Sequence, residues 1–375
     1  MTEHTLKTIC YDAQTQSFVH KSTHKTLGPN DVLIRTTHSG LCTTDVHAKD
    51  KGCGLGHEGV GHVEAVGNGV SNLKVGERVG WGWLHSVGIS FHFPSSLLDL
   101  IMIQSCGHCT TCASGYRQYC SEARGFAFSD TDQGAFGDYR VIDSAFAYPI
   151  PQSIKSIHAG PLMCAGASTY EALEAAGTKP GDRVGVVGIG GLGHMAILFA
   201  KAMGCGVTAI TRDDSKRQGL FRLGADEVRV EGMLDRAFVS NPEDESATPY
   251  TTSSPRPMSI DVLLITSNAV QELEAYLPLL ARRATIVLMT IQQEPISIPY
   301  LPFILPGHKL IASTEASHQN HFDMLRFAAR HKIEPVVETF PMTLEGAAQA
   351  FSKLEAGAMR YRGVLVRDVE PYDSA

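Results

Sequence analysis

The sequence predicts an α/β protein in two parts, a mostly-β half and a half built on a parallel sheet. Residues 1 to about 165 are filled with short alternating runs such as DVLIRTTHSG (31–40) and GHVEAVGNGV (61–70), which read as strands joined by tight turns. From Gly166 the pattern changes: the strand RVGVV (183–187), a glycine turn, an Ala/Met/Leu helix ending near Gly204 and the apolar strand VTAIT (207–211) make a βαβ unit. At 375 residues the chain also exceeds the usual size of one domain, so two are expected.

Further strands of the parallel sheet are expected at Asp226–Val230, Ile260–Thr266 and Ala284–Ile291, with helical patterns between them. The tail from about Glu315 carries a helix, FDMLRFAARH (322–331), then strands ending in YRGVLVRD, and is expected to fold back onto the first half. The domain boundaries expected are therefore 1–165 with 315–375, and 166–314 between them.

Hydrophobic content of 43% and 36 glycines describe a globular chain with many turns, not a disordered or fibrous one. A net charge of −7 with no basic run argues against nucleic acid as a partner. The N-terminus MTEHTLKTICYDAQ lacks the charged-then-apolar pattern of a signal peptide and no stretch is long enough to span a bilayer, so no membrane association and a cytoplasmic location are expected. In such a setting nine cysteines point to metal ligands before disulfides.

Cysteine spacing gives the strongest local signal. Cys106, Cys109, Cys112 and Cys120, in CGHCTTCASGYRQYC, have the two-residue gaps and short closing loop that let four thiolates converge on one tetrahedral ion. Four sulfurs leave no open position, so this zinc would be structural; unliganded thiols and an iron–sulfur cluster are the competing readings. A second set is dispersed: Cys42 in GLCTTDVH, His57 with Glu58 in GLGHEGVG, and Cys164 in PLMCAGAS. Two thiolates and one imidazole leave a fourth position for water or substrate, as in a catalytic zinc site.

The segment Gly188-Ile189-Gly190-Gly191-Leu192-Gly193 follows a strand and opens a helix inside the βαβ unit, the context a dinucleotide pyrophosphate loop requires. Where an NAD-binding unit carries an acid for the ribose 2′-hydroxyl, this chain has Thr211, then Arg212, with Lys216 and Arg217 close by. Missing acid and neighbouring cations favour a 2′-phosphate, hence NADP(H), against the opposing charge of Asp213 and Asp214.

With these motifs in place the chain resembles the zinc-containing medium-chain dehydrogenases, and within them the cinnamyl-alcohol-dehydrogenase-like branch. The likeness runs from the N-terminal strands to YRGVLV; GHEGVGHVEAVGNGV is similar to the family's zinc signature and GVVGIGGLGHMAILFAKAMG to the branch's usual wording. The resemblance implies a GroES-like mostly-β catalytic domain with both zinc sites (1–165 and 315–375) and a Rossmann doubly wound NADP(H)-binding domain (166–314). It implies two zincs per chain, a small-molecule alcohol or aldehyde as partner, and a homodimer. Cys42, His57 and Cys164 become the catalytic zinc ligands, Glu58 stands beside the metal, and Asp45 holds His57 in the right tautomer.

Thr44 and His47 match the family's proton relay, Trp83 a residue lining the substrate pocket, and Arg362 an arginine that approaches the cofactor phosphates. A polar loop, a core tryptophan and an ion-paired arginine are the structural alternatives for these positions.

The implied reaction interconverts a small or medium alcohol with its aldehyde or ketone. Reduction of an activated C=C or C=N bond on the same fold is a competing reading; presence of both Thr44 and His47 argues against it, since such a reaction needs no proton on a zinc-bound oxygen. A non-catalytic NADP(H)-binding protein is another, which two complete ligand sets make unattractive.

Two segments break the pattern. Asn241–Pro257 is polar and Pro/Ser-rich and reads as an exposed loop. Val87–Gln104 is an apolar run of eighteen residues between a strand and the cysteine cluster, where the branch has only a few residues. Valine codons begin with GT and one glutamine codon ends with AG, so the segment can begin and end like an in-frame retained intron. The alternative is a lid beside Trp83.

Overall fold

The computed structural model describes residues 3–84, 107–123, 125–127, 131–212, 214–234, 239–240, 259–267, 272–292 and 294–367. Val87–Gln104, Cys106, Asp213 and the Asn241–Pro257 segment lie outside them. The chain divides into two compact units, Met1–Ala167 with Glu315–Ala375, and Ser168–Thr314. Among the described residues no helix is long and apolar enough to cross a membrane.

The first unit is organised by the strand Asp31–Leu41, ten of whose eleven residues are buried. In space its sheet runs Val337–Pro341, Arg362–Val366, Asp31–Leu41, Glu58–Val66, Arg78–Trp81, Tyr148–Pro149, and Tyr139–Asp143 also pairs with the start of the central strand. The tail does return: Gly363 stands opposite Leu41 and Val366 opposite His38 in an antiparallel pairing. Apolar clusters fill the interior, among them one around Ile9, Leu41, Leu55, Phe126, Phe136 and Phe351 and another around Ile34, Val63, Val79 and the fully buried Trp81.

The second unit holds the doubly wound sheet. Its order in space is Val239–Ser240, Glu227–Val230, Gly206–Thr211, Arg183–Val187, Ile260–Ile265, Leu280–Leu288, Lys309–Ala312, and every pairing is parallel except that of Val239–Ser240. The strand order reverses at Arg183–Val187, so the glycine loop that follows it sits at the switch point where such sheets bind ligands.

Two details differ from the sequence expectation. The strand expected at Ala284–Ile291 begins at Leu280 and ends at Leu288. Arg283 adopts φ +65° and the register against Ile260–Ile265 shifts there, so a bulge interrupts the alternation a strand is recognised by. Between Ile265 and Leu280 the helical pattern reduces, among the described residues, to the 3-10 turn Leu277–Leu279, whose Pro278 has no N–H to donate.

Candidate metal centre and dinucleotide loop

Three separate elements of the first unit bring one donor set together. Cys42 follows the central strand and is the N-cap of the helix Thr43–Ala48; His57 immediately precedes the strand Glu58–Val66. Cys164 lies in a π-helical turn, Leu162–Gly166, that continues the helix Ser156–Pro161. One ligand atom from each of Cys42, His57, Glu58 and Cys164 lies within 4.8 Å of the others.

Asp45 sets the orientation. Its Oδ2 accepts from the Cys42 backbone N–H at 2.9 Å, while Oδ1 accepts from Gly56 N–H at 2.9 Å and stands 3.2 Å from His57 Nδ1. Asp45 is fully buried and fixes the imidazole through Nδ1, leaving buried Nε2 with no hydrogen-bond partner among the described residues. An orphaned imidazole nitrogen beside two sulfurs is costly unless a ligand takes it up, and sulfur with imidazole is a zinc donor set. The residues therefore fit the metal that the cysteine and histidine pattern implies.

Glu58 Oε1 accepts from Arg362 Nη1 at 2.8 Å, both groups buried, and the same Nη1 donates to the Leu41 carbonyl at 3.3 Å. A β-carbon on Gly40 would overlap Glu58 Oε2, so the carboxylate's position requires glycine there. Burial pushes the Glu58 carboxyl up to about 7 against the opposing pull of Arg362. A hydrogen bond from Cys164, with Arg362 and His57 adding to it, holds the Cys42 thiol well below its ordinary value, and the same bond, with burial, pushes Cys164 well above. Thr44 is half-buried with Oγ1 3.6 Å from Cys42 Sγ, and His47, three residues on along the same helix face, is exposed. Trp83 is half-buried and packs against Gly125.

Sequence reasoning missed one neighbour of this centre. Glu315 sits in ASTEAS (312–317), where only Ser317, the N-cap of the helix His318–His331, carries a recognisable signal. Its buried Oε2 has no hydrogen-bond partner among the described residues, and burial pushes its carboxyl up to about 8.

In the second cluster the sulfurs of Cys109, Cys112 and Cys120 lie within 4.8 Å of one another, with Cys109 and Cys120 3.9 Å apart. Cys109 caps the short helix Thr110–Ala113 and its sulfur accepts from Cys112 N–H at 3.4 Å. Cys106, expected as the fourth ligand, is outside the described residues.

In the second unit Gly188 takes φ +84° at the end of its strand, and a β-carbon on Gly193 would overlap the Gly188 carbonyl, so the helix Gly191–Ala202 can approach the strand only with glycine at both. Gly190 is exposed and Leu192 half-buried at that helix's start. Lys216 Nζ donates to the Ile189 carbonyl of the loop at 3.4 Å. Thr211 is buried, Arg212 exposed, and Arg217 Nε donates to Asp214 at 2.6 Å, so one of the two opposing acids is already neutralised.

Residues 28–152 match the family model described as an alcohol dehydrogenase GroES-like domain, and residues 191–330 that of a zinc-binding dehydrogenase. An alcohol dehydrogenase of Geobacillus stearothermophilus is 34% identical over 90% of this chain and 92% of its own. The NADP-dependent alcohol dehydrogenase C 1 of Mycolicibacterium smegmatis is 30% identical over 92% of each. Among solved structures, a cinnamyl alcohol dehydrogenase from Sorghum bicolor superposes with a TM-score of 0.80 at 28% identity, covering 97% of this chain and 98% of that one.

Proposed function

Since the chain belongs to the zinc-containing medium-chain alcohol dehydrogenase family, we propose that it is a zinc-dependent, NADP(H)-linked enzyme interconverting a small or medium alcohol with its aldehyde or ketone. The observation that carries this reading is the cluster of Cys42, His57 and Cys164 around an imidazole Nε2 that has no hydrogen-bond partner among the described residues. These three would hold the catalytic zinc, with Glu58 beside it. Cys106, Cys109, Cys112 and Cys120 would hold a second, structural one. When bound, the zinc supplies Lewis-acid polarisation of the carbonyl oxygen and NADP(H) supplies the hydride.

The chain's own residues do the rest. Asp45 keeps the His57 Nδ1 side occupied, so that Nε2 is the nitrogen presented to the metal. Arg362 is committed first to Glu58, holding that carboxylate's charge in place next to the cluster; its expected approach to the cofactor phosphates is part of the same proposal. In reduction the Thr44 hydroxyl hydrogen-bonds the substrate oxygen and gives it a proton that exposed His47 draws from solvent; in alcohol oxidation the proton leaves by the same two residues. The loop Gly188–Gly193 receives the pyrophosphate at a helix N-terminus, with Arg212 and Lys216 taking the 2′-phosphate. The pairing of Asp214 with Arg217 supports this choice, as does the NADP dependence in the name of the mycobacterial relative.

The test is elemental analysis of gently purified protein combined with a panel of aldehydes and ketones under NADPH and NADH. Two zincs per chain with NADPH-dependent carbonyl reduction is the expected result. One zinc, lost on mutating Cys109 or Cys120, would remove the catalytic metal; reduction of only activated double bonds would remove the alcohol chemistry.

A further inference from the structure

Beside the cluster lies a polar group that the proposed chemistry does not use. Glu315 adopts φ +54°, a left-handed conformation that a non-glycine residue rarely takes without a reason. Ser317 fixes the segment from the other side by accepting from Asn320 N–H at 3.1 Å as the helix cap. The side chain carries Oε2 into the interior, where it makes no hydrogen bond among the described residues and where the charges of His57, Cys42 and Glu58 act on the carboxyl. A buried carboxyl oxygen without a donor is among the least favourable arrangements a protein keeps.

The space it faces is bounded. A β-carbon built on Gly82 would stand 3.7 Å from Glu315 Oε2, 3.5 Å from His321 Nε2 and 2.6 Å from the carbonyl of Met163, the residue before Cys164. Position 82 therefore accepts only glycine, and its backbone, Glu315 Oε2 and His321 Nε2 meet at one point beside the residue that precedes Cys164. His321 is itself fixed, with Nδ1 3.1 Å from the Ser317 carbonyl and its ring stacked on Tyr148 at 4.5 Å. A rigid wall with an unpaired acceptor suits recognition better than motion.

We propose that Glu315 is a specificity-determining residue of the substrate pocket, accepting a hydrogen bond from a second hydroxyl on the substrate, so that hydroxyaldehydes and diols are favoured over their unsubstituted counterparts. This rests on the alcohol dehydrogenase reading for the reacting end of the substrate and adds the recognition of its other end. A site that loses an unpaired buried group to a matching hydroxyl rejects the analogue lacking it, because the analogue leaves the acceptor dry and unpaired.

The experiment compares the wild type with Glu315→Leu and Glu315→Gln. Left-handed backbone is equally unfavourable for all three side chains, so the comparison isolates the carboxyl. Reduction of glycolaldehyde, 3-hydroxypropanal and 4-hydroxybutanal is measured against acetaldehyde, propanal and butanal. Binding of 1,4-butanediol against 1-butanol is followed separately by tryptophan fluorescence, and zinc content is measured for each variant. For at least one chain length, the wild-type kcat/KM ratio should favour the hydroxyaldehyde by about tenfold to a hundredfold. That ratio, with the diol-over-monool binding ratio, should collapse in the leucine variant and survive largely in the glutamine variant, which keeps an acceptor. Equal ratios in wild type and Glu315→Leu would overturn the proposal. So would loss of zinc in Glu315→Leu, which would make Glu315 part of the metal site. If no carbonyl compound is reduced by any form, the alcohol dehydrogenase reading fails and the binding ratios alone decide Glu315.

Discussion

Replacing Asp45 tests the centre at the residue on which its geometry converges. In the folded chain one carboxylate satisfies three donors: the Cys42 and Gly56 backbone N–H groups, each at 2.9 Å, and His57 Nδ1 at 3.2 Å. Asp45→Ala strands all three in a buried site, and at about 1–3 kcal/mol per unsatisfied donor the loss is roughly 3–9 kcal/mol if none is rehydrated. Asp45→Asn is graded: its amide oxygen can still serve Gly56 and His57, but the NH2 group meets the Cys42 N–H donor to donor, so one of the three bonds is lost. A unit of this size shifts by about 2–4 °C per kcal/mol, which puts Asp45→Ala at least about 6 °C below wild type and Asp45→Asn between them. Zinc affinity, read by competition with a chromogenic chelator, should fall by about tenfold to a hundredfold in the alanine variant, because His57 loses its fixed tautomer. Thermal unfolding with and without added zinc separates the two effects. An alanine variant with unchanged unfolding and unchanged zinc retention would refute the view that Asp45 positions the ligands.

Three further outcomes follow from the same geometry. Arg212→Ala should weaken NADPH binding by about tenfold to a hundredfold and leave NADH nearly untouched, measured by fluorescence titration; equal losses would remove the 2′-phosphate assignment. Thr44→Val, which keeps shape but removes the hydroxyl, should depress carbonyl reduction steeply while NADPH binding persists; unchanged turnover on the best substrate would speak for double-bond or imine reduction. Burial, with Arg117 and His318 nearby, holds the His321 imidazole down at about 4, so it folds neutral while the unfolded chain takes up a proton below about 6.5. Its penalty is absent above pH 6.5, grows as pH falls to 4, and amounts to about 3 kcal/mol; His321→Phe, which keeps the stack on Tyr148, should flatten that acid limb in urea titrations, and an unchanged slope would contradict it.

Much of this was legible in the residues. Strand RVGVV and the glycines after it announce the switch point because the strand, the turn and the close helix approach each demand a particular residue type. Cys42, His57 and Cys164 were recognisable as a set, and the folded chain does bring them together. Spacing in sequence does not say which neighbours pair across the fold. Arg362, expected near phosphates, is committed to Glu58 by a contact 304 residues apart in the chain. Glu315 gave no signal at all, since a lone acid ahead of a helix cap looks like surface until burial and φ are known. The strand at Leu280 was misplaced for a related reason, a bulge whose cause is pairing and not composition.

The π turn at Leu162–Gly166 makes chain length, more than side-chain identity, the sensitive quantity in the helical rod that carries Cys164. Such a turn is an α-helix with one residue too many, and each residue advances a helix by about 100°. Deleting any single residue between Ser156 and Met163 would carry Cys164 about a quarter of the way round the axis and take its sulfur off the side that faces Cys42, although every packing side chain nearby could be unchanged. Deleting Ala165 instead would spare the sulfur and turn everything beyond it. Relatives can therefore exchange side chains of like size in this stretch, Cys164 and the close-packed Gly160 and Gly166 apart, while gaps and insertions in it should be nearly absent from any that still bind the metal.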